Sequence, residues 1–150
     1  MAIYAKITGS KTGAFTGDVK EVPFVGQIHT LSSNFGLSRP MDAQTMTPTG
    51  RAVIHPLTIT KRLDKTSPLF VQAAYHNESL TVILSHSFDG SSATAKKTVA
   101  SVKLSQAMIQ DLRHAAGPDG NAVETITFGF VELEITWIDG GVTAVIAVNK

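Results

Sequence analysis

The side chains that could do chemistry in this chain of 150 residues are histidines and carboxylates, because it contains no cysteine. The five histidines are His29, His55, His76, His86 and His114. No two of them have the short spacing by which one strand or helix presents paired metal ligands, although residues distant in sequence can still converge in space. The pattern therefore predicts neither a metal site nor a cofactor.

Catalytic motifs are also missing from the sequence. Glu132 and Glu134 alternate on one predicted strand face, but two carboxylates so placed are more often solvated or paired at an interface than used for glycoside hydrolysis. The segment Gly9 to Gly13 contains a lysine and a threonine but lacks the order of a phosphate-binding loop. No G-x-S-x-G nucleophile motif occurs. We expect a protein that is not an enzyme.

The amino-acid composition limits the kinds of partner that the chain can bind. The 13 basic and 12 acidic residues give a net charge of +1, and they form no basic stripe that could follow a nucleic-acid backbone. Charged residues make up 17% of the chain, against about a quarter in a typical soluble domain, so we expect part of the surface to be covered by other copies. The N-terminus carries no basic segment followed by an apolar run, and no long apolar stretch occurs elsewhere. This predicts no signal peptide and no membrane insertion.

Alternation of apolar and polar residues with period two is the dominant signal and predicts strands. The alternating segments are Ile3 to Thr8, Ile28 to Ser38, Val53 to Arg62, Leu80 to Phe88, Val99 to Met108, Ile126 to Trp137 and Val142 to Val148. Gln110 to Ala116 fits either a strand end or a helical turn. The pattern favours one domain over residues 1–150, an antiparallel β-barrel or sandwich of about seven or eight strands with one flanking α-helix.

The helix is predicted just after the third strand. Thr66 and Ser67 supply a hydroxyl N-cap, and Pro68 suits the first helical position, where its missing amide hydrogen costs nothing. One face of this helix carries Leu69, Phe70, Ala73 and Ala74. The helix is predicted to end near His76.

Three further features concern side-chain direction. In Ile28 to Ser38, Leu31, Phe35 and Leu37 are expected to face the core, opposite the small polar set Thr30, Ser32, Asn34, Gly36 and Ser38. The apolar phase flips near Phe130 and Val131, which predicts a bulge or sharp bend. Trp137 is in phase with Val131, Leu133 and Ile135, and we expect it to be buried.

Arg39 to Gly50 is predicted to be a long loop, because it shows no alternation and contains Pro40 and Pro48, which cannot donate to a ladder. Met41 and Met46 offer adaptable apolar contact that would be wasted in water. We expect this loop to reach out of the barrel and contact another subunit.

The segment Leu57 to Leu69 resembles the strand and the aspartate-lysine-hydroxyl-hydroxyl-proline helix start of the Hcp (haemolysin-coregulated protein) family. Ile28 to Ser38 resembles that family's strand of alternating aromatic and serine residues, and Val123 to Trp137 resembles its long late strand. The chain departs from the family in Ser33, where an aromatic is common, in a loop after Arg39 with fewer glycines, and in a short C-terminus.

This resemblance implies a structural subunit of the type VI secretion tube. Six copies would form a ring, rings would stack inside a contractile sheath capped by a VgrG-type spike, and effector proteins would travel in the lumen. The protein would be assembled in the bacterial cytoplasm and then expelled. Thr30, Ser32, Asn34 and Ser38 would face lumen and cargo, and Arg39, Pro40, Met41 and Met46 would form the ring-stacking loop. Two alternatives stay open, a non-catalytic ligand- or carbohydrate-binding barrel and a phage tail-tube subunit.

Overall fold

The computed structural model of the chain describes residues 2–20, 24–89, 96–138 and 140–147, apart from the side chains of residues 88–89 and 96–97. This part of the chain forms ten strands and one helix. In chain order they are β1 (Ala2–Gly9), β2 (Gly13–Ala14), β3 (Ile28–Thr30), β4 (Ser32–Ser38), β5 (Val53–Arg62), α1 (Ser67–Tyr75), β6 (Leu80–Asp89), β7 (Lys96–Ala116), β8 (Ala122–Gly129), β9 (Glu132–Trp137) and β10 (Val142–Ala147). The end of the last predicted strand, at Val148, lies outside the described residues.

The long strand β7 organises the fold. It pairs with β8 from Met108 to Ala116 and with β9 from Ala100 to Ser105. The β9 ladder and the first two pairs of the β8 ladder share one register, and a shift between Ile109 and Asp111 then marks a bulge in β7. β8 and β9 are therefore one strand that bends at residues 130–131, as the change of apolar phase predicted. The ambiguous segment Gln110 to Ala116 is part of β7 and not a helical turn. Together, β7, β8 and β9 form one bent ribbon.

This ribbon joins two antiparallel sheets. The front sheet contains the second half of β7, then β8, β5 and β4, and the rear sheet contains β10, β9, the first half of β7, β6 and β1, with the short β2 and β3 beyond β1. The mainly β, antiparallel fold with one helix is confirmed. The closed barrel is wrong, because among the described strands β4 pairs with β5 alone. β3, which precedes β4 across a bend at Leu31, pairs instead with β1.

The core lies between the two sheets. Leu84 and Leu104 enter it from the rear sheet, and Ile59 and Phe128 enter it from the front sheet. Phe70 of α1 closes one end of the core. Burying each of these side chains contributes on the order of 1.5–3 kcal/mol, so the inward-facing residues supply most of the driving force for folding.

The helix has the predicted extent but a different cap. Thr66 is the N-cap residue, and its hydroxyl makes no capping hydrogen bond to the helix. Asp64 organises the turn instead: its Oδ1 accepts from the Thr66 amide at 2.9 Å, and its amide donates to the Ser67 hydroxyl at 3.1 Å. Within the described residues, no helix is long and apolar enough to cross a bilayer.

Candidate functional site

The polar residues of β4 share a face with a group of threonines on the front sheet. Ser32 pairs with Thr60 and Asn34 with Thr58. A register shift follows, in which Phe35 alone faces two residues of β5, Pro56 and Leu57. The extra residue thus lies on β5, so β4 keeps its own alternation and Ser32, Asn34, Gly36 and Ser38 point to one side.

We call this surface the threonine face. It consists of Thr58, Thr60, Thr125 and Thr127 from the two central strands, with Ser32 and Asn34 beside them on β4. The hydroxyls of Thr58 and Thr127 lie 3.1 Å apart across the two strands. These side chains are neutral donors and acceptors, which can contact a polar surface but carry no group suited to acid or base catalysis.

Two predictions about the strand from Ile28 to Ser38 are wrong. Thr30 is buried, because it lies before the bend at Leu31 and pairs with Ile3 of β1 inside the fold. It belongs to no surface of the subunit and cannot face a lumen. Leu31, Phe35 and Leu37 are exposed rather than buried: Leu31 lies at the bend before β4, and Phe35 and Leu37 lie on an edge strand that, within the described residues, is paired on one side only.

The front sheet has two open edges, one on each side. Among the described residues, β4 is paired only with β5, and β7 from Met108 to Ala116 is paired only with β8. Each open strand presents a row of amide and carbonyl groups with no strand partner, which is a template for pairing with another chain.

The loop from Arg39 to Gly50 is a small ordered hairpin. Met41 lies opposite Pro48 in an isolated antiparallel bridge, flanked by hydrogen bonds from Thr49 N to Pro40 O and from Asp42 N to Thr47 O, both 2.9 Å. The two prolines are accommodated in this pairing, because the bonds use the carbonyls of Pro40 and Thr47 and neither needs a proline amide. The Arg39 side chain donates to the carbonyl of Gly50 at 3.4 Å and closes the base of the hairpin.

The tip of this loop is apolar and exposed. Met46 is 67% exposed and holds a positive φ of 54°, and Met41 is also exposed. Neither methionine is covered by the subunit, so both are available to a partner.

Comparison with known proteins gives one consistent result. Residues 4–137 match the family described as "Type VI secretion system effector, Hcp". The chain belongs to the Hcp family. It is 31% identical to the "Major exported protein" of Pseudomonas aeruginosa, over 89% of this chain and 86% of the relative.

Solved structures from the same group share the Hcp fold. The Hcp1 protein of E. coli EAEC 042 superposes with a TM-score of 0.88 at 20% identity, covering 98% of both chains. The secreted protein Hcp3 of Pseudomonas aeruginosa gives 0.78 at 21% identity, covering 97% of this chain and 98% of that one. At these identities the likeness concerns the fold.

The segment from Leu57 to Leu69, on which the Hcp resemblance rested most, contains a feature that the sequence analysis missed. Lys61 is 0% exposed, and its ammonium lies 3.0 Å from Asp64 Oδ1 and 2.9 Å from Oε2 of Glu124, which is 2% exposed. It also donates to the Ser67 hydroxyl at 3.2 Å and lies 5.2 Å from the centre of the Phe70 ring. A buried charge of this kind requires such partners.

We call Lys61, Asp64 and Glu124 the ionic cluster. It joins the end of β5, the start of β8 and the turn before α1. The contact between Lys61 and Glu124 Oε2 is an ion pair without the angles of a directed hydrogen bond. On the outer side, His114 Nδ1 of the open β7 edge lies 3.6 Å from Glu124 Oε1. Lys61 continues the inward alternation of Leu57 and Ile59, and Asp64 follows three residues later, so the sequence did hold a signal for the cluster.

Trp137 is exposed, against expectation. It lies at the outer end of β9, where its pairs are Ala100 on β7 and Val142 on β10. The apolar side of the hairpin formed by β9 and β10 continues beyond the core. Trp137 therefore lies on the predicted side of its strand without being buried.

The Hcp chain shows no group of three histidine or acidic residues that could hold a metal ion among the residues described here. Lys61 and Glu124 pair inside the fold, while large apolar side chains such as Leu37, Trp137 and Met46 are exposed. This distribution suits a protein that acts through contact with other chains.

Proposed function

We propose that this Hcp-family chain is the structural subunit of the type VI secretion tube and performs no catalysis. One observation carries the proposal. The front sheet has an open edge on each side, β4 and the second half of β7, and bears the threonine face between them. A sheet of this kind can be extended on both sides by copies of itself.

The two open edges differ, so copies join head to tail. Pairing β4 of one subunit with β7 of the next repeats a single heterologous interface, and such an interface closes into a ring when its rotation divides a full turn. We propose six subunits per ring, as the family resemblance implies. In the ring, both edges are paired, which removes the aggregation hazard that exposed strands create.

The threonine face then lines the lumen. Ser32 and Asn34 belong to it, and Ser38 follows on the same side of β4. We propose these three residues as positions that contact effector cargo. Their side chains are uncharged and hydrogen-bonding, which suits a passage that must hold different proteins without binding any of them strongly. Thr30 is buried and is therefore not among the proposed cargo contacts.

The hairpin loop serves the contact between rings. Arg39 and Pro40 fix its base, while Met41 and Met46 present apolar surface to the next ring. Methionine adapts its shape to the surface it meets, so it suits a contact that must form quickly and repeatedly. A stacked tube would be enclosed by the contractile sheath, capped by the VgrG-type spike and expelled from the cytoplasm in which it was assembled. The name of the curated relative, a major exported protein, supports the export step.

Size measurement of the purified protein tests the ring. We expect light scattering after gel filtration at tens of micromolar to give six subunits, and negative-stain images to show rings with an open centre. A protein that stays monomeric under these conditions contradicts the proposal.

The cargo role has its own test. Asn34→Trp is expected to leave rings intact and to reduce export of effectors that travel in the lumen, because it narrows the passage. Val71→Trp, on the exposed side of α1, is the matched control. Unchanged export of every such effector in the Asn34 variant would show that Asn34 does not contact cargo.

A further inference from the structure

We propose that the turn from Gly9 to Gly13 is a carboxylate-binding site filled by Glu78 of the same chain, and that this contact is a latch which acid opens. The turn joins β1 to β2, and Glu78 lies between the end of α1 and the start of β6. The inference concerns the single subunit and does not rest on the proposed ring.

The carboxylate of Glu78 accepts several hydrogen bonds from the turn. The Thr12 amide donates to Oε2 at 3.2 Å, and the Thr12 hydroxyl donates to Oε1 at 2.8 Å. The Lys11 amide also donates to the carboxylate, and the Lys11 ammonium adds its positive charge. Successive backbone amides that converge on one point are a common way for a turn to bind an anion. The turn therefore binds an anion, although it lacks the order of a phosphate loop.

Gly9 provides the room for this carboxylate. A Cβ added at Gly9 would overlap Oε2 of Glu78, although the backbone of Gly9 lies outside the left-handed region and would itself accept a side chain. Glu78 is 6% exposed, so its carboxylate has exchanged most of its contact with water for the donors of the turn. A buried charge persists only with such partners. The turn and the carboxylate are therefore fitted to each other.

The end of α1 brings Glu78 to the turn. The Glu78 amide donates to the carbonyl of Ala73 at 3.0 Å, and Asn77, with a φ of 56°, turns the chain out of the helix. A residue in the left-handed region is a common way to end a helix, and asparagine accepts it. Beside the carboxylate, the Ser10 amide donates to the carbonyl of Ser79 at 2.9 Å. The latch thus joins the end of the helix to the first strands of the rear sheet.

Protonation of Glu78 is the change that opens the latch. A neutral carboxyl group attracts Lys11 less, and the oxygen that carries the proton becomes a donor that faces other donors. Burial raises the pKa of Glu78, but the hydrogen bonds from Thr12 and Lys11 outweigh burial and hold the pKa below its ordinary 4.5. Because the folded-state pKa is depressed, the contribution of the latch is complete above pH 4.5 and is lost as the pH falls through the folded-state value.

Other groups near the latch set the controls for this trigger. Lys11 is the charged residue that acts on Glu78 from the turn. On α1, the ring of His76 packs edge-on against Tyr75, with ring centres 5.2 Å apart. Leu80, which pairs with Gly9 at the start of β6, is apolar. Histidine can change its charge in acid, so the effect of His76 must be separated from that of Glu78.

Hydrogen exchange of the Thr12 amide, measured by mass spectrometry with fragmentation, reports on the latch. Glu78→Ala removes the carboxylate, and Gly9→Ala displaces it with a methyl group. We expect each to speed this exchange by about tenfold or more, the effect of losing a hydrogen bond to a charged group. Gly129→Ala is the matched control, because a Cβ added there makes an ordinary contact, 3.6 Å from Gln110 Oε1. The amides of β6 should stay protected in all three variants.

Sodium formate tests the binding of a carboxylate. Glu78→Ala leaves the donors of the turn without their acceptor, and a small carboxylate can take its place. We expect formate to restore protection of the Thr12 amide in this variant in a saturable way, as mass action requires. Sodium chloride at the same concentration should not restore it, and the wild-type amide should respond to neither salt. Equal effects of formate and chloride on the variant would show that the turn is not a carboxylate site.

Acid tests the trigger. The wild-type Thr12 amide should lose its protection as the pH falls below 4.5, before the amides of β6 do, and His76→Gln should behave in the same way. Glu78→Gln keeps the shape of the side chain without its charge, so it should protect Thr12 less at neutral pH and show no change over this range. This variant keeps the test decisive if Glu78→Ala does not fold.

Two results overturn the latch. The first is normal protection of the Thr12 amide in both Gly9→Ala and Glu78→Gln at neutral pH. The second is a wild-type Thr12 amide that loses protection in acid only together with the amides of β6. Neither result depends on whether the subunit forms rings, so the latch and the proposed ring stand or fall separately.

Discussion

Two regions of the front sheet depart from the usual rule that charged side chains are exposed and apolar side chains are buried. At the start of β8 and the end of β5, three charged side chains, Lys61, Asp64 and Glu124, meet in or near the interior. On the edge strand β4, Phe35 and Leu37 are exposed to solvent. The difference teaches that one region of the sheet stabilises the fold through buried charge, while the other leaves apolar side chains uncovered.

The two regions should respond differently to substitution. A buried charge that loses its partner is strongly destabilising, because the remaining charge stays desolvated. An exposed apolar residue contributes little to the stability of its own subunit, and surface changes usually fall within about 0.5 kcal/mol. Variants of the ionic cluster should alter folding, and variants of Phe35 and Leu37 should alter only association.

Lys61→Met tests this difference with the largest expected effect. It leaves Glu124 buried without its cation, and we expect the free energy of unfolding to fall by about 3–5 kcal/mol, a large part of the total for a domain of this size. Urea denaturation monitored by circular dichroism measures the loss. The double variant Lys61→Met, Glu124→Leu should recover much of it, because it removes the unpaired charge together with its partner. A loss below about 1 kcal/mol in the single variant would show that the cluster does not stabilise the subunit.

Acid should weaken the subunit through two further groups. Burial raises the pKa of Glu78, but hydrogen bonds from Thr12 and Lys11, and the charge of Lys11, outweigh it and leave the pKa below its ordinary 4.5. Burial lowers the pKa of His86 below 6.5. Both folded-state pKa values are depressed, so each contribution is complete above the ordinary value and is lost as the pH falls through the folded one.

Stability should therefore decline in two steps, first below pH 6.5 and then below pH 4.5. Urea midpoints between pH 8 and pH 3 measure the profile. Glu78→Gln should be less stable at neutral pH and should lose the second step, while the first step remains. A Glu78→Gln profile parallel to that of the wild-type protein would exclude Glu78 as the source of the second step.

The loop substitutions should have the smallest effect on the subunit. Replacing Met41 and Met46 with aspartate is expected to leave the urea midpoint and the single ring unchanged, and to abolish stacking into tubes and export, because charge replaces apolar contact between rings. Electron microscopy and an export assay measure these outcomes. The matched control, Gln44→Asp with Thr45→Asp, adds the same charge at polar positions of the same loop. Normal tubes from the methionine variant would remove the loop from the stacking contact.

Much of the fold could be predicted because strand alternation and breaker residues are local signals. The helix beginning at Ser67 and Pro68 was predicted from its capping pattern, and the bend at residues 130–131 from a change of apolar phase. The end of β7 was ambiguous, because an open edge strand has no fully buried side to impose clean alternation.

The two wrong predictions of burial share a physical cause. Alternation predicts which side of a strand a residue faces, but not whether another layer covers that side. Phe35 and Trp137 were each expected to be buried, and both are exposed, Phe35 on an edge strand and Trp137 at the outer end of β9. The ionic cluster was missed for the opposite reason: Lys61 lies on the inward side of β5, where a charge is tolerated only with partners distant in sequence, such as Glu124.

The bent ribbon of β7 with β8 and β9 also has a mechanical consequence. Its strands are joined at eight positions along β8 and six along β9, by hydrogen bonds perpendicular to the chain. A force along the ribbon loads these bonds together, in shear, whereas a force across a strand end breaks them one after another. Because the same ribbon runs through both sheets, a force applied to the rear sheet is transmitted to the front sheet along continuous strands.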